Sequence, residues 1–253
     1  MTDNISQSKS FKVFVREVSP YLFSLSYRLT GSYDDALDLL QDTFLKVWSN
    51  WEQLKDAEKA LPWVRKICVN QYIDLCRKSK RNYLVKDPVF PHMEYEIISN
   101  APTPEDEVLA DEEVRLIHSQ CWTVMTRTLS LYQQIVFVMT DIYQLKIDET
   151  AQLIGRSEAA TKSLLHRARK SMNGLLSPFC SLVQKDNICT CKSWIQYSHD
   201  IQKRREFLNQ MVASRKSSGK DTSFAENKLI TLFNNLPQHV PPLPWIEKIE
   251  KNI

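Results

Sequence analysis

The chain has 253 residues, with 33 basic and 30 acidic side chains and a formal net charge of +3. This length allows one or two domains. The near balance of charge excludes binding to a polyanion through net charge alone, so any such binding needs local basic faces. The sequence contains 4 glycines and 11 prolines. Tight β-hairpins use glycine freely, so a hairpin-rich fold is not expected. Long segments rich in Leu, Ala, Glu, Lys, Arg and Gln favour helices instead.

Three features of the sequence bear on where the protein works. No run of about 18 apolar residues is present, so no membrane-spanning helix is predicted. The polar segment 1–10 predicts no secretory signal. The 6 cysteines are scattered along the chain, which is typical of a reduced protein rather than of a disulfide framework. We therefore expect a cytoplasmic protein.

The composition divides the chain into four segments. Residues 11–82 and 111–178 are helical in pattern, and residues 83–110 between them carry several prolines and acids, as a linker does. Residues 179–253 hold a cysteine cluster, a basic helix candidate and a proline-rich end. The predicted fold is all-α, with two small helical domains joined by a flexible linker and followed by a C-terminal extension.

The segment 35–48 has the strongest pattern of the first domain. Its apolar and small residues recur at the three-four spacing of a buried helix face. They are Ala36, Leu39, Leu40, Thr43, Phe44, Val47 and Trp48. The other side holds Asp38, Gln41, Asp42 and Lys46. Taken alone, this pattern is typical of any amphipathic helix with a solvated acidic face.

A second helix is predicted over residues 61–81. Pro62 suits a first helical turn, where its missing N–H is not needed. Basic residues concentrate toward the far end, which favours the helix dipole even if that end is merely solvated. The functional interpretation is that the basic groups neutralise phosphates while an aromatic or amide side chain contacts an exposed base.

The second domain contains a helix-turn-helix pattern over residues 129–175. Gly155 supplies a positive-φ turn, and Ser157 is placed to cap the next helix. The spacing predicts that this helix packs inward through Thr161, Leu165, Ala168 and Met172. Small residues near its start and basic residues further on fit a recognition helix in the major groove. The alternative is a basic amphipathic helix of an ordinary helical bundle.

The residue order in 35–48 resembles the region of bacterial RNA polymerase sigma factors that contacts the polymerase clamp. The family pattern runs Asp-Ala-Glu-Asp-Leu-Val-Gln-Glu-Thr-Phe-Leu-Arg-Val-Trp. This chain reads Asp-Ala-Leu-Asp-Leu-Leu-Gln-Asp-Thr-Phe-Leu-Lys-Val-Trp, so Leu37 replaces an acid. The core-polymerase-binding residues that the resemblance implies are Asp35, Asp38, Gln41, Asp42, Leu45 and Lys46.

Two further segments resemble parts of the same family. The segment 61–81 resembles the part that contacts and melts the −10 promoter element. The DNA contacts that it implies are Trp63, Arg65, Lys66, Asn70, Asp74, Arg77, Lys78 and Arg81. The second segment, which begins at Gly155, resembles the reader of the −35 element, and the contacts that it implies are Ser157, Ala160, Lys162, Ser163, His166, Arg167 and Lys170. In this second segment Ala159 and Ala160 replace a Gly-Thr pair and Leu164 replaces an arginine. Upstream of it, Lys146 stands where the family has a helix cap.

The resemblance covers roughly residues 11–176 and is closest to the small two-domain extracytoplasmic-function (ECF) group. It implies a non-enzymatic factor that binds the clamp and flap of core RNA polymerase, recognises the −35 and −10 elements and opens the duplex. The resemblance also implies an anti-sigma factor as a further candidate partner. The alternative is a helix-turn-helix transcriptional regulator without a polymerase role, which would not need the 35–48 helix. No nucleophile–base set or phosphate-binding glycine loop is evident, so an enzyme is not expected.

The C-terminal extension carries a candidate zinc site. Cys180, Cys189 and Cys191 have the spacing C-x8-C-x-C, and His199 follows. Structural zinc takes four such ligands, but unliganded thiols fit this non-standard spacing equally well. No other cofactor is expected. The apolar residues of the extension are too many for a solvated tail and too few for a domain, so we expect it to dock on one of the two domains and regulate it. They are Leu229, Ile230, Leu232, Phe233, Leu236 and Trp245.

Overall fold

The computed structural model describes residues 2–54, 56, 59–78, 121–122, 128–176, 180 and 241–251. The predicted linker and most of the C-terminal extension lie outside these residues. Every regular element in the described ranges is helical, which confirms the all-α fold class. The described ranges contain no helix whose length and apolar character would let it cross a membrane.

The described helices include those predicted from the sequence for the two domains, and one over residues 243–251 that was not predicted. In the described ranges they are α1 (Thr2–Thr30), α2 (Tyr33–Trp48), α3 (Ala60–Lys78), α4 (Leu131–Phe137), α5 (Ile147–Ile154), α6 (Glu158–Leu176) and α7 (Leu243–Lys251). A 3-10 turn (Trp51–Gln53) follows α2, and a π-helical turn (Val138–Ile142) continues α4.

Contacts divide the chain into two compact units. The first unit contains α1, α2, α3, α5 and α7, and the second contains α4, the π-helical turn and α6. The domain boundaries expected from the sequence stay a prediction.

A sharp corner joins α1 to α2. Gly31 has a φ of 68°, a left-handed conformation that glycine adopts at little cost, and its N–H donates to the Tyr27 carbonyl at 2.8 Å. Ser32 then caps α2, because its hydroxyl oxygen accepts from the Asp35 N–H at 3.4 Å. Asp34 and Asp35 stand in the first turn, where negative charge is favourable to the helix dipole. The corner therefore fixes where α2 begins and which way it runs.

The buried faces of α1, α2 and α3 pack together in the first unit. Cys68 of α3 lies at the centre of this packing, with its Sγ 3.6 Å from the Ser26 Oγ of α1. Burial raises the pKa of the Cys68 thiol to about 11, against smaller lowering effects from hydrogen bonds with Ser26 and with Thr43 of α2. The thiol thus links groups from three helices and stays protonated at neutral pH.

An aromatic cluster fixes the far end of α2 against the N-terminal half of α1. The Phe11 ring centroid lies 4.9 Å from that of Trp48 and 4.9 Å from that of Trp51. Phe14 adds a contact with Trp51 at 5.0 Å. Aromatic pairs at such distances stabilise by about 1 kcal/mol beyond their buried area. Together with the corner at Gly31, the cluster holds α2 at both ends.

The turn before α6 has the left-handed glycine predicted for it. α5 ends at Gly155, whose φ of 65° and ψ of 42° are left-handed, and the Gly155 and Arg156 N–H groups both donate to the Ala151 carbonyl. Ser157 follows, and α6 begins at the next residue. At the start of α5, Lys146 has no capping oxygen in its side chain, but its N–H donates to the Glu149 carboxylate at 2.9 Å. That bond is the half of a capping box that needs no oxygen in the Lys146 side chain, so the Lys146 N–H is satisfied although its side chain cannot cap the first turn of the helix.

Candidate functional site

The outer side of α2 carries all six residues predicted to bind core polymerase. Asp38, Asp42 and Lys46 are exposed, Leu45 is 44% exposed, and Asp35 and Gln41 are half-buried. At about 100° per residue the six side chains occupy an arc of about 140°, opposite the buried face. The structure therefore brings them together on one surface, which we call the α2 face.

The α2 face combines charge with an apolar centre. Asp38 and Asp42 are one turn apart, and Leu45 lies beside them with almost half of its surface in water. An exposed leucine among acids offers a partner both apolar area to bury and charges to pair. The aromatic cluster and the Gly31 corner lie within the same unit and hold the helix that presents it.

One side of α3 carries most of the residues predicted for the −10 element. Lys66, Asn70, Asp74, Arg77 and Lys78 are exposed and Trp63 is half-buried, and these six share an arc of about 120° around the helix. We call this surface the α3 face. Arg81, predicted with them, lies outside the described residues.

An ion pair on the α3 face joins the two residues one turn apart at its basic end. Arg77 Nη1 donates to Asp74 Oδ1 at 3.3 Å, and both side chains are more than half exposed. Exposed pairs of this kind contribute at most about 1 kcal/mol. Arg77 can therefore exchange the carboxylate for a phosphate at little cost.

Arg65 is the one described member of the −10 set that points elsewhere. Its Nε donates to the Tyr21 hydroxyl oxygen at 2.6 Å, and its guanidinium carbon lies 5.5 Å from the centroid of that ring. A hydrogen bond and a cation–π contact to the same side chain tie α3 to α1. The structure thus gives Arg65 a structural contact and does not bring it together with the α3 face.

Helix α6, the predicted recognition helix, has one buried side and one exposed side. Thr161, Leu165, Ala168 and Met172 are buried, which confirms the inward face predicted from the spacing. Lys162, Ser163, His166, Arg167 and Lys170 are exposed, and with half-buried Ala160 they fill an arc of about 160°, the α6 face. Ser157, also exposed, comes directly before the helix.

The second unit contains a buried ion pair that was not predicted from the sequence. Asp141, 3% exposed, accepts from Arg169 through both carboxylate oxygens, with Nη2 at 2.7 Å from Oδ1 and Nε at 3.1 Å from Oδ2. The sequence contains a pattern that could have predicted this pair, because Asp141 is the single acid within the otherwise apolar or neutral stretch 135–142. A lone carboxylate in such a stretch needs a partner.

The zinc prediction concerns residues that are largely outside the described ranges. Cys180 is buried, whereas Cys189, Cys191 and His199 are not described. Within the described ranges no three or more His, Cys, Asp or Glu side chains gather as a metal site would require.

Comparison with known proteins assigns both helical regions. The profile described as Sigma-70 region 2 matches residues 14–82, and the profile described as Sigma-70, region 4 matches residues 119–172. Relatives include the RNA polymerase sigma factor NccH of Alcaligenes xylosoxydans xylosoxydans, 30% identical over 145 residues that cover 56% of this chain and 73% of NccH. The ECF sigma factor SigW of Bacillus subtilis is 24% identical over 155 residues, covering 60% of this chain and 80% of SigW. By these matches the chain belongs to the ECF group of the sigma-70 family.

Two other matches differ in coverage. The ECF sigma factor SigG of Mycobacterium tuberculosis is 28% identical over 179 residues, which cover 63% of this chain and 47% of SigG. The chain thus spans about half the length of that relative. Among solved structures, the sigma factor RpoE of Bartonella quintana, crystallised with the anti-sigma factor NepR, is 22% identical, with a TM-score of 0.44. That match covers 67% of this chain and 98% of RpoE. Family membership rests on the sequence matches.

Proposed function

We propose that the protein binds core RNA polymerase and directs promoter-specific initiation by recognising the −35 and −10 elements and opening the duplex. The observation that carries the proposal is the α2 face, on which six predicted polymerase contacts share one exposed surface. The role proposed is non-enzymatic and cytoplasmic. Its proposed partners are the clamp and flap of core polymerase, promoter DNA and an anti-sigma factor.

The two basic faces support a division of the DNA contacts. On α6 the small side chains Ala160 and Ser163 lie near the helix start, where they allow close approach to base edges in the major groove. Lys162, Arg167 and Lys170 surround them and suit phosphates. On α3 the mixture of cations, an amide and a half-buried tryptophan suits single-stranded DNA, because stacking and phosphate contacts need no base pair.

The alternative, a helix-turn-helix regulator without a polymerase role, is not favoured by the family matches, and transcription distinguishes the two. Run-off transcription with purified core polymerase on genomic fragments is expected to give discrete transcripts only when the protein is added. A regulator would produce none with core enzyme alone. Discrete initiation that depends on the protein supports the proposal, and its absence on every fragment would overturn it.

Replacing Arg77 and Lys78 with alanine is expected to slow promoter opening at least about tenfold while leaving closed-complex formation within about twofold. Both cations lie at the basic end of the α3 face, where the proposal places melted DNA. Losing two phosphate contacts to the open strand acts on the opening step. Permanganate reactivity of unpaired thymines reports opening, and competition with unlabelled promoter reports the closed complex. Lys12→Ala on α1 is the control, and opening at the normal rate in the double variant would contradict the assignment.

We also propose that the C-terminal extension regulates the factor. The supporting observation is that α7, near the end of the extension, contacts α1 within the first unit, with Ile246 and Ile249 only 7% and 3% exposed. Pro241 is buried as well, and the Trp245 and Ile246 N–H groups donate to the Pro242 carbonyl, which starts the helix. This contact supports the proposal that the extension docks on the first unit.

Truncation after Leu176 is expected to change the transcription rate or promoter choice, because it removes the contact between α7 and α1. The measurement is the run-off assay with equal amounts of full-length and truncated protein. Identical rates and promoter choice in the two proteins would contradict the regulatory role.

The proposed zinc site at Cys180, Cys189, Cys191 and His199 is checked separately, since full-length protein purified without chelator should contain one zinc per chain. Metal-free protein would eliminate that site without affecting the regulatory proposal.

A further inference from the structure

The buried pair between Asp141 and Arg169 connects the π-helical turn to the helix that carries the α6 face. The two residues are 28 positions apart and belong to the same compact unit. Both carboxylate oxygens accept from different guanidinium nitrogens, at 2.7 and 3.1 Å. A two-point contact of this kind fixes orientation as well as distance, because a planar fork matches a planar carboxylate in few arrangements.

The carboxylate end of the pair is itself held in place. The Tyr143 N–H donates to the Val138 carbonyl at 3.0 Å, a bond that spans five residues and defines the π-helical turn. Gln144 follows with a φ of 56°, and its side-chain amide donates to the Asp141 carbonyl oxygen at 2.8 Å. Asp141 therefore stands on backbone whose conformation is specified by several bonds, and it can serve as a fixed reference for α6.

The cation end of the pair borders the α6 face. Around the helix axis Arg169 is about 20° from Lys162, which belongs to that face. Arg169 is one-third exposed, at 33%, and its two bonds direct the guanidinium toward the buried Asp141. Without those bonds, Arg169 would be a further long cation at the edge of the face, within reach of DNA phosphates. The pairing therefore sets the rotation of α6 and also removes one non-specific phosphate contact.

We infer that Asp141 is a positioning residue that sets the DNA sequence preference of α6. It acts through Arg169 and does not touch DNA. The inference rests on the proposed function, since it concerns the same recognition helix. It predicts that weakening the pair lowers discrimination between DNA sequences more than it lowers affinity for DNA in general.

The test compares Asp141→Asn with the wild-type protein, each as full chain bound to core polymerase. The probes are duplexes that the wild-type holoenzyme selects from a randomised −35 region, and scrambled duplexes of the same composition. In Asp141→Asn we expect the ratio of selected to scrambled affinity to fall about tenfold. Because Arg169 is then released toward phosphate, the salt dependence of scrambled binding should steepen by about one unit.

A matched control and a second variant separate this role from simple stability. Asp148→Asn makes the same change of charge at an exposed position of α5 and should leave both the ratio and the salt dependence unchanged. Asp141→Asn combined with Arg169→Gln replaces the pair by two neutral amides. In this variant the ratio of selected to scrambled affinity should also fall. The salt dependence of scrambled binding should not steepen, because the released cation is absent.

Each outcome decides the matter. A wild-type ratio in folded Asp141→Asn and in the double variant would show that the pair contributes only stability, and so would failure of both variants to fold in thermal unfolding. If wild-type holoenzyme itself selects no sequence from the pool, the proposed function fails rather than the role of Asp141. A lowered ratio in either folded variant, with Asp148→Asn unaffected, supports the inference.

Discussion

Reversing the charge at Asp38 and Asp42 to lysine is expected to lower the affinity for core RNA polymerase at least about a hundredfold. Both carboxylates are exposed on the α2 face, one turn apart and beside the exposed Leu45. Placing like charges together in an interface costs about 3 kcal/mol or more, and about 1.4 kcal/mol corresponds to a factor of ten. Fluorescence anisotropy of labelled protein titrated with core enzyme measures the change.

The fold should tolerate this double reversal. Exposed substitutions change the free energy of unfolding by about 0.5 kcal/mol or less, so circular dichroism and the thermal midpoint should stay near the wild-type values. Glu17→Lys, which makes the same type of reversal at an exposed position on α1, serves as the control and should bind core enzyme normally. Undiminished affinity of the Asp38/Asp42 variant would show that the α2 face does not contact polymerase.

Replacing Lys162 and Arg167 with alanine is expected to weaken promoter binding by the holoenzyme at every sequence. Each phosphate contact that is lost should also reduce the slope of log affinity against log salt by about 0.9 unit, because fewer counterions are released. Both side chains are exposed on the α6 face, away from its buried stripe. The measurement is a series of binding titrations between about 50 and 200 mM salt, the range over which such contacts dominate.

The small residues of α6 should behave differently from its cations. Ser163→Ala and Ala160→Thr are expected to change which −35 sequences are preferred while leaving the salt slope unchanged, since they lie where base edges would be read. Lys59→Ala removes an exposed cation of the first unit, before α3, and is the control for charge alone. Intact affinity and slope in the Lys162/Arg167 variant would mean that α6 does not read DNA.

The faces of α2 and α6 could be predicted from the sequence because they depend only on helical periodicity. Once the register of a helix is known, a three-four pattern decides which residues are buried, and no distant contact is needed. The three-four pattern alone was enough to predict the buried residues of α6 and the exposed residues of α2. Gly155 is a similar case, since a left-handed residue after a helix is a local property of the backbone.

The contacts that escaped prediction are those made across the sequence. Arg65 has the residue type and spacing of a DNA contact, but its direction depends on Tyr21, which is 44 positions away. The partner of Asp141 is 28 positions away and is reached through a π-helical turn that no periodic pattern signals. Lys146 shows the reverse case, since its N–H still donates to Glu149 three residues later although its side chain cannot cap the helix.

The burial of Cys68 has a consequence for oxidative stress. Peroxides attack the thiolate, and with a pKa of about 11 only about one Cys68 thiol in ten thousand is ionised at pH 7. The thiol is also sealed from solvent among three helices, so an oxidant would have to wait for the first unit to open. The Cys68 thiol at the centre of this unit should therefore resist oxidation by peroxide for as long as the unit stays folded.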